Sequence, residues 1–381
     1  MTERPSPGAP TSPDPGGEGP RVHLAALVED RVVAAVGALL RGAAGWLPRV
    51  EPYTGFGTPR RVRVLGRVLL SPRELGRGAP RPVQRGFRSF LTLPSPGHRV
   101  IVTVGKAVVD AVADRAGYID IEVELPPDAP LRPGWQRATL RTTSAYAAEV
   151  HAGLVVIGDD VQVGVISDID DTAMVTAVPT LLVAAWNMLW VRTATRRAVR
   201  GMAGLYGRIA KANPDAPFVY LSAGAWNTAR TLRRFLALHG YPAGPLLLTD
   251  FGPTRTGWFR SGREHKTTSL ERLFATFPHV RWVLVGDDGQ QDPEIYSDAA
   301  RSHPDTVVAI GIRTMSRAER VIATAGAAKD GRATGTTPSA GGGTEPAAAP
   351  GDVDVPFVVG RDGDALAAGL DAVPGLLAPR E

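Results

Sequence analysis

Three apolar runs in this chain end in groups able to do chemistry. "VGVISDIDDT" closes on Asp168, Asp170, Asp171 and Thr172; "PFVYLSAG" closes on Ser222, Ala223 and Gly224; "RWVLVGDDG" closes on Asp287 and Asp288, with Asp292 soon after. Carboxylate clusters without His or Cys among them suit a hard divalent cation, and Mg²⁺ takes oxygen ligands while keeping several waters. With a lysine and a Ser/backbone cradle, such a cation meets the needs of a phosphoryl group in transfer. One aspartate can attack phosphorus to give an aspartyl-phosphate. A second, two residues on, can protonate the leaving oxygen and then activate the hydrolytic water.

Each motif alone also has a plain structural reading. D-x-D-x-T can be a loop or helix cap, Ser222 a cap, "GDDG" a turn and Lys266 a solvated surface charge. Their order along the chain, each at the end of its element, favours the chemical reading. Composition adds to it: lysine occurs only at positions 106, 211, 266 and 329 of a chain whose other cations are arginines. Lysine offers a compact point charge where a planar guanidinium would not fit.

The elements that must position these groups are legible as alternating apolar strands and helices from residue 159 to 326. Strand candidates are "VQVGVISD", "PFVYLSAG", "GPLLLTDFG", "RWVLVGDD" and "TVVAIGIRT", with helices expected over 228–239 and 267–277. Continuous Val/Leu/Ile runs bounded by helices predict a parallel sheet buried on both faces. In such sheets ligands bind beyond the carboxyl ends of the strands, which is where the polar groups fall. Residues 50–158 have short β-rich runs with Pro/Gly/Asp punctuation, which predicts a sandwich-like β domain. Residues 1–20 read as a disordered tail, 21–49 as an amphipathic helix and 327–352 as a low-complexity linker; 353–381 offer one more strand and helix.

The bulk numbers narrow the function classes. The chain has 381 residues, a formal charge of +5 and no cysteine. Disulfides, thiolate zinc sites and a cysteine nucleophile are excluded, and no basic block is dense enough to call for nucleic acid. The first twenty residues have no apolar core of a secretory signal, so the expected location is cytoplasmic, with peripheral contact to an anionic membrane left open. Residues 173–216 read as a helical cap insert, apolar at first ("AMVTAVPTLLVAAWNMLWV") and then cationic. Trp186 and Trp190 share a helix face, and Arg192, Arg196 and Arg200 continue the same spacing. The apolar part is too short to span a bilayer; it suits an interfacial helix or a buried cap helix.

The order of motifs resembles the haloacid-dehalogenase-like phosphatases. "SDIDDT", "VYLSAGAWNTARTLRRFL", "FRSGREHKTTSLERLFATFP" and "WVLVGDDGQQDPEIY" are similar to the catalytic domain of the phosphatidate phosphatase family of the actin-patch-protein type. "YTGFGTPRRVRVLGRVLL" resembles the amino-terminal region of its bacterial members. The resemblance implies an α/β fold: a haloacid-dehalogenase-like Rossmannoid parallel sheet with helices on both faces, preceded by the β-rich domain. It implies Asp168 as nucleophile and Asp170 as general acid/base. Mg²⁺ would be held by Asp168, the Asp170 carbonyl and Asp287, with Asp288 or Asp292 completing the shell; Asp292 fits the family pattern better. Ser222, Ala223 and Lys266 would hold the phosphate. Thr172, Trp226, Asn227 and Asp288 are candidates for substrate contact or support, with helix capping the expected role of Asn227. Asp171 is assigned no catalytic role and is expected to fix the turn. The implied function is phosphatidate phosphatase. The same chemistry on a soluble phosphate ester and an inactive membrane- or partner-binding protein are the alternatives.

Overall fold

The computed structural model describes residues 46–72, 93–143, 148–174, 197–249, 262–289, 291–316 and 353–378. The expected tail 1–20, linker 327–352, most of the helix 21–49, and Trp186, Trp190, Arg192 and Arg196 of the insert lie outside them.

The parallel sheet is built from β9 (Val163–Asp168), β10 (Phe218–Ala225), β11 (Leu246–Thr249), β12 (Arg281–Asp287), β13 (Val307–Arg313) and β14 (Phe357–Gly360). Their order is β11-β10-β9-β12-β13-β14, every neighbouring pair parallel. The chain runs outward from β9 to β11, then returns to the other side of β9 with β12. The order therefore reverses between β9 and β12, the position at which doubly wound sheets bind ligands. All six residues of β9 are buried, as a central strand covered on both faces requires.

Five helices are described with this sheet: α1 (Met202–Ala212), α2 (Ala229–Leu238), α3 (Gly262–Thr276), α4 (Asp292–Ser302) and α5 (Gly363–Leu370). Successive strand residues point to opposite faces. Gly286 lies under Asp292 and Tyr296 of α4, whereas Gly311, paired with Val285, lies under Leu366 and Leu370 of α5. Helices thus cover both faces. Helix α1 falls within the insert expected as a cap, yet it packs on the sheet. Met202, Leu205, Tyr206 and Ile209 form its buried stripe, and Tyr206 Oη lies 2.6 Å from Ser167 Oγ. The carboxy-terminal stretch supplies the expected strand and helix as β14 and α5.

The β-rich half is one eight-stranded sheet: β1 (Trp46–Gly57), β2 (Arg61–Pro72), β3 (Leu93–Pro94), β4 (Arg99–Val104), β5 (Ala107–Val112), β6 (Tyr118–Glu124), β7 (Gly134–Thr142) and β8 (Val150–Val156). β1 begins within the stretch expected as helix. β2 pairs with β1 along one edge and with β6 and β3 along the other. The sheet curls around its own core of Val62, Val64, Val100, Val102, Leu140 and Leu154. Tyr53, Phe56, Leu65 and Tyr118 instead join the core of the parallel-sheet half, so the two halves share packing.

Candidate active site

β9 is apolar from Val163 to Ile166 and ends in Ser167 and Asp168, and Asp168 is fully buried. Lys266, near the start of α3, places Nζ 2.7 Å from Asp168 Oδ1 and also bonds Asp292 Oδ1. The lysine is itself 2% exposed, so this is a sealed ion cluster rather than a surface pair. Asp287 ends β12 and is buried as well. Its Oδ1 accepts from Gly289 N at 2.7 Å, and Thr172 Oγ1 donates to its Oδ2 at 3.4 Å. Carboxylate oxygens of Asp168, Asp287 and Asp292 all lie within 4.8 Å of one another.

Asp292 reaches this cluster from the first turn of α4 because Gly286 leaves room for it. A Cβ at Gly286 would stand 2.5 Å from Asp292 Oδ2. That answers which residue of "GDDGQQD" belongs to the cluster. Asp288 turns the other way, its Oδ1 accepting from Met315 N at 2.8 Å beyond the end of β13.

The turn after β9 carries the remaining carboxylates. Asp170 Oδ2 accepts from Ser222 Oγ at 2.6 Å, and Ser222 Oγ accepts from Gly224 N at 2.9 Å. β10 thereby fixes the carboxylate two residues beyond Asp168. Asp171 takes the left-handed conformation, φ 59°, which Asp tolerates better than most residues. Its N–H donates to Met174 O at 2.8 Å, and its carbonyl accepts from Arg313 Nη1 at 2.5 Å. Asp171 is therefore a turn residue, as expected. Arg313 was not among the residues singled out from sequence. The available signal was a lone arginine ending the otherwise apolar run "VVAIGIR", and it is 5% exposed.

The other candidates separate. Ala223 is exposed between Ser222 and Gly224, and its carbonyl accepts from Thr249 Oγ1 at 2.7 Å. Trp226 faces the β-rich half: it stacks on Tyr53 with ring centroids 4.4 Å apart and lies 6.3 Å from Tyr118. Asn227 is exposed in the 3₁₀ turn Trp226–Thr228; Thr228, not Asn227, occupies the N-cap position of α2.

The electrostatics follow from burial. Desolvation pushes the Asp168 carboxyl well above its ordinary range; Lys266 opposes this, while Asp292, Asp287 and Asp170 add to it. Asp287 is raised for the same first reason, with Asp292 adding to the effect. Burial disfavours charge on Lys266, but Asp168, Asp292 and Asp287 outweigh it and hold the ammonium protonated. Three buried carboxylates thus face one buried lysine. Asp168 Oδ2 and Asp170 Oδ1 are buried and accept no hydrogen bond. An excess of hard oxygen donors, some of them unsatisfied, fits a divalent cation of the Mg²⁺ class.

Residues 163–314 match the family model described as phosphatidate phosphatase APP1, catalytic domain. Among curated proteins, phosphatidate phosphatase APP1 of Saccharomyces cerevisiae is 27% identical over 155 residues, 40% of this chain and 26% of that protein. An uncharacterised protein of Schizosaccharomyces pombe is 26% identical over 182 residues, 45% of this chain and 28% of its own length. The chain thus spans about a quarter of the length of these relatives. Among solved structures, a carbohydrate acetylesterase from Xanthomonas citri overlaps 73% of each chain at 10% identity, with a TM-score of 0.26, too low to bear on fold or function.

Proposed function

We infer, from the match of residues 163–314 to the phosphatidate phosphatase catalytic-domain model, that the carboxylate cluster is the centre of a Mg²⁺-dependent phosphomonoesterase. The substrate is phosphatidate or a similar lipid phosphate monoester. The observation that carries the reading is the sealed set Asp168, Lys266, Asp287 and Asp292 at the point where the strand order reverses. That strand order, with helices on both faces, supports the haloacid-dehalogenase-like assignment.

Asp168, Asp287, Asp292 and the Asp170 carbonyl would hold the cation, which when bound offsets charge on the phosphoryl oxygens. Asp168 is the nucleophile, its carboxylate forming a bond to phosphorus as the ester oxygen leaves. Asp170 gives that oxygen its proton and afterwards takes one from the attacking water. The Gly224 N–H to Ser222 to Asp170 chain holds its carboxyl in place, and Ser222, with the neighbouring Ala223 backbone, receives phosphate oxygens when substrate enters. Lys266 balances negative charge on Asp168 and on the incoming phosphate, in a setting where electrostatic stabilisation is stronger than in water.

The test is a phosphate-release assay. An aryl phosphate should be turned over with Mg²⁺ and not with EDTA. Asp168→Asn should lower turnover at least about 1,000-fold, since the transferred group has no acceptor. Activity that survives either change sinks the mechanism. Phosphatidate in mixed micelles should be hydrolysed faster than glycerol 3-phosphate; equal rates would remove the lipid assignment.

A further inference from the structure

Beside the carboxylate cluster, at the carboxyl ends of β13 and β14, lies an open cavity of about 500 Å³. Its charge is opposite to that of the cluster. Arg197, Arg200, Arg313 and Arg361 line it, together with Asp362 and Met315 among others. Much of the acidic side is already engaged. Asp362 caps α5, accepting from Ala365 N at 3.0 Å, and Asp364 lies 3.6 Å from Arg200 Nε. Among the described residues, Arg197 and Arg361 pair with no carboxylate, and both are exposed.

The walls are fixed by backbone contacts. Gly363 N donates to Arg200 O at 2.9 Å, and Thr314 N donates to Gly360 O at 2.8 Å. Gly363 and Gly201 touch so closely that a Cβ at Gly363 would stand 2.1 Å from Gly201 C. Three stretches distant in sequence are thereby locked around one arginine-lined hollow. Arg313 pairs in register with Asp287, so the strand that carries this lining residue runs about 4.8 Å from the strand that carries Asp287. The bond from Arg313 to the Asp171 carbonyl joins the two sites. Arg361 and β14 lie outside residues 163–314, so the cavity is only partly made by the segment shared with the family.

We propose that this cavity is a second, non-hydrolytic phosphate-binding site, in which Arg197 and Arg361 engage a phosphate group other than the one at Asp168. Guanidinium groups match phosphate oxygens in bidentate geometry, and two lining arginines, Arg197 and Arg361, that pair with no carboxylate among the described residues favour an anion over a neutral ligand. The phosphate arrives either on a lipid headgroup at a membrane surface or on a soluble anion.

Binding by the full chain tests this independently of turnover. Two probes are used: vesicles of phosphatidylglycerol in phosphatidylcholine, whose phosphodiester is not a monoesterase substrate, and inorganic phosphate by calorimetry in the absence of divalent cations. The variant is R197A/R361A, with R61A/R99A in the β-rich half as a control of equal charge change; thermal melts verify that all are folded. The site predicts at least a tenfold loss of binding to one or both probes in R197A/R361A and little change in the control. Loss confined to vesicles assigns a lipid headgroup, and loss confined to inorganic phosphate assigns a soluble anion. Binding of neither probe by the native chain, or equal losses in variant and control, overturns the proposal. Failure of the phosphatase assay leaves this result unaffected, so the two readings fail separately.

Discussion

In the β-rich half, two ion pairs lie largely in water. Arg61 and Glu124 are 58% and 75% exposed, and Lys106 and Asp128 are 69% and 76% exposed. At the carboxyl edge of the parallel sheet, Lys266, Asp168 and Asp292 are 2% exposed or less. Exposed pairs of the first kind contribute about 0–1 kcal/mol and are screened by salt. Sealed ions of the second kind cost several kcal/mol each to desolvate, and their attraction only partly offsets that cost. Three buried carboxylates facing one ammonium cost the fold stability, which is the physical ground for proposing this sheet edge as the reactive site. The β-rich half, around its valine-rich interior, buries no such cluster of charges among its described residues.

This contrast can be broken by substitution. Lys266→Met should destabilise the metal-free fold by about 3–5 kcal/mol, because it strands buried carboxylates without their counter-charge. A denaturant melt showing a loss under about 1 kcal/mol would place the lysine in the same class as Arg61. Tyr53→Ala comes next, at about 3 kcal/mol, by removing a buried ring stacked on Trp226. Since Trp226 follows Ser222 in the same strand-to-helix passage, this variant should also raise KM for the aryl phosphate. Lost stability with unchanged KM would confine the β-rich half to a purely structural role.

Metal addition should have a smaller, pH-dependent effect. Asp168 and Asp287 have folded pKa values raised above 3.8, so the folded chain binds more protons than the unfolded one once pH passes about 4. Stability without metal therefore falls as pH rises from there through the raised values. Mg²⁺ at 100 times its Kd should restore about 2.7 kcal/mol. Its effect on Tm should grow as pH rises above about 4, because binding displaces those protons. A Tm shift that shrinks over this range contradicts the assignment of these carboxylates as ligands. Smallest of all, Arg61→Ala should cost less than about 1 kcal/mol, and less still in high salt.

Much of the parallel-sheet half was legible because local pattern carried it. Apolar runs ending in Asp168, Ser222 and Asp287 became strands whose polar ends meet at one sheet edge, with β10 running on to Ala225, and the expected helices over 228–239 and 267–277 match α2 and α3 to within a few residues, apart from α3's earlier start at Gly262. Where position depended on a partner far along the chain, the pattern was silent. Nothing near Trp226 announces that its ring turns to Tyr53, and nothing near Asp171 announces the Arg313 bond. The choice between Asp288 and Asp292 needed the geometry at Gly286, where the missing Cβ admits the helix residue. The parallel pairing of β1 with β8 likewise joins the two ends of the β-rich half and has no local signature. Residues 202–212 read as part of a cap because a cationic, apolar insert looks the same whether it projects or packs; the buried face of Tyr206 decides it.

The central claim is that Asp168 takes the phosphoryl group. Acid quench during turnover of a ³²P-labelled phosphate monoester, followed by peptide mapping, examines that step directly. The label should appear on the peptide carrying Asp168, be released by hydroxylamine as an acyl phosphate is, and be absent from Asp168→Asn. Label on another residue, or sustained turnover in Asp168→Asn, would contradict it.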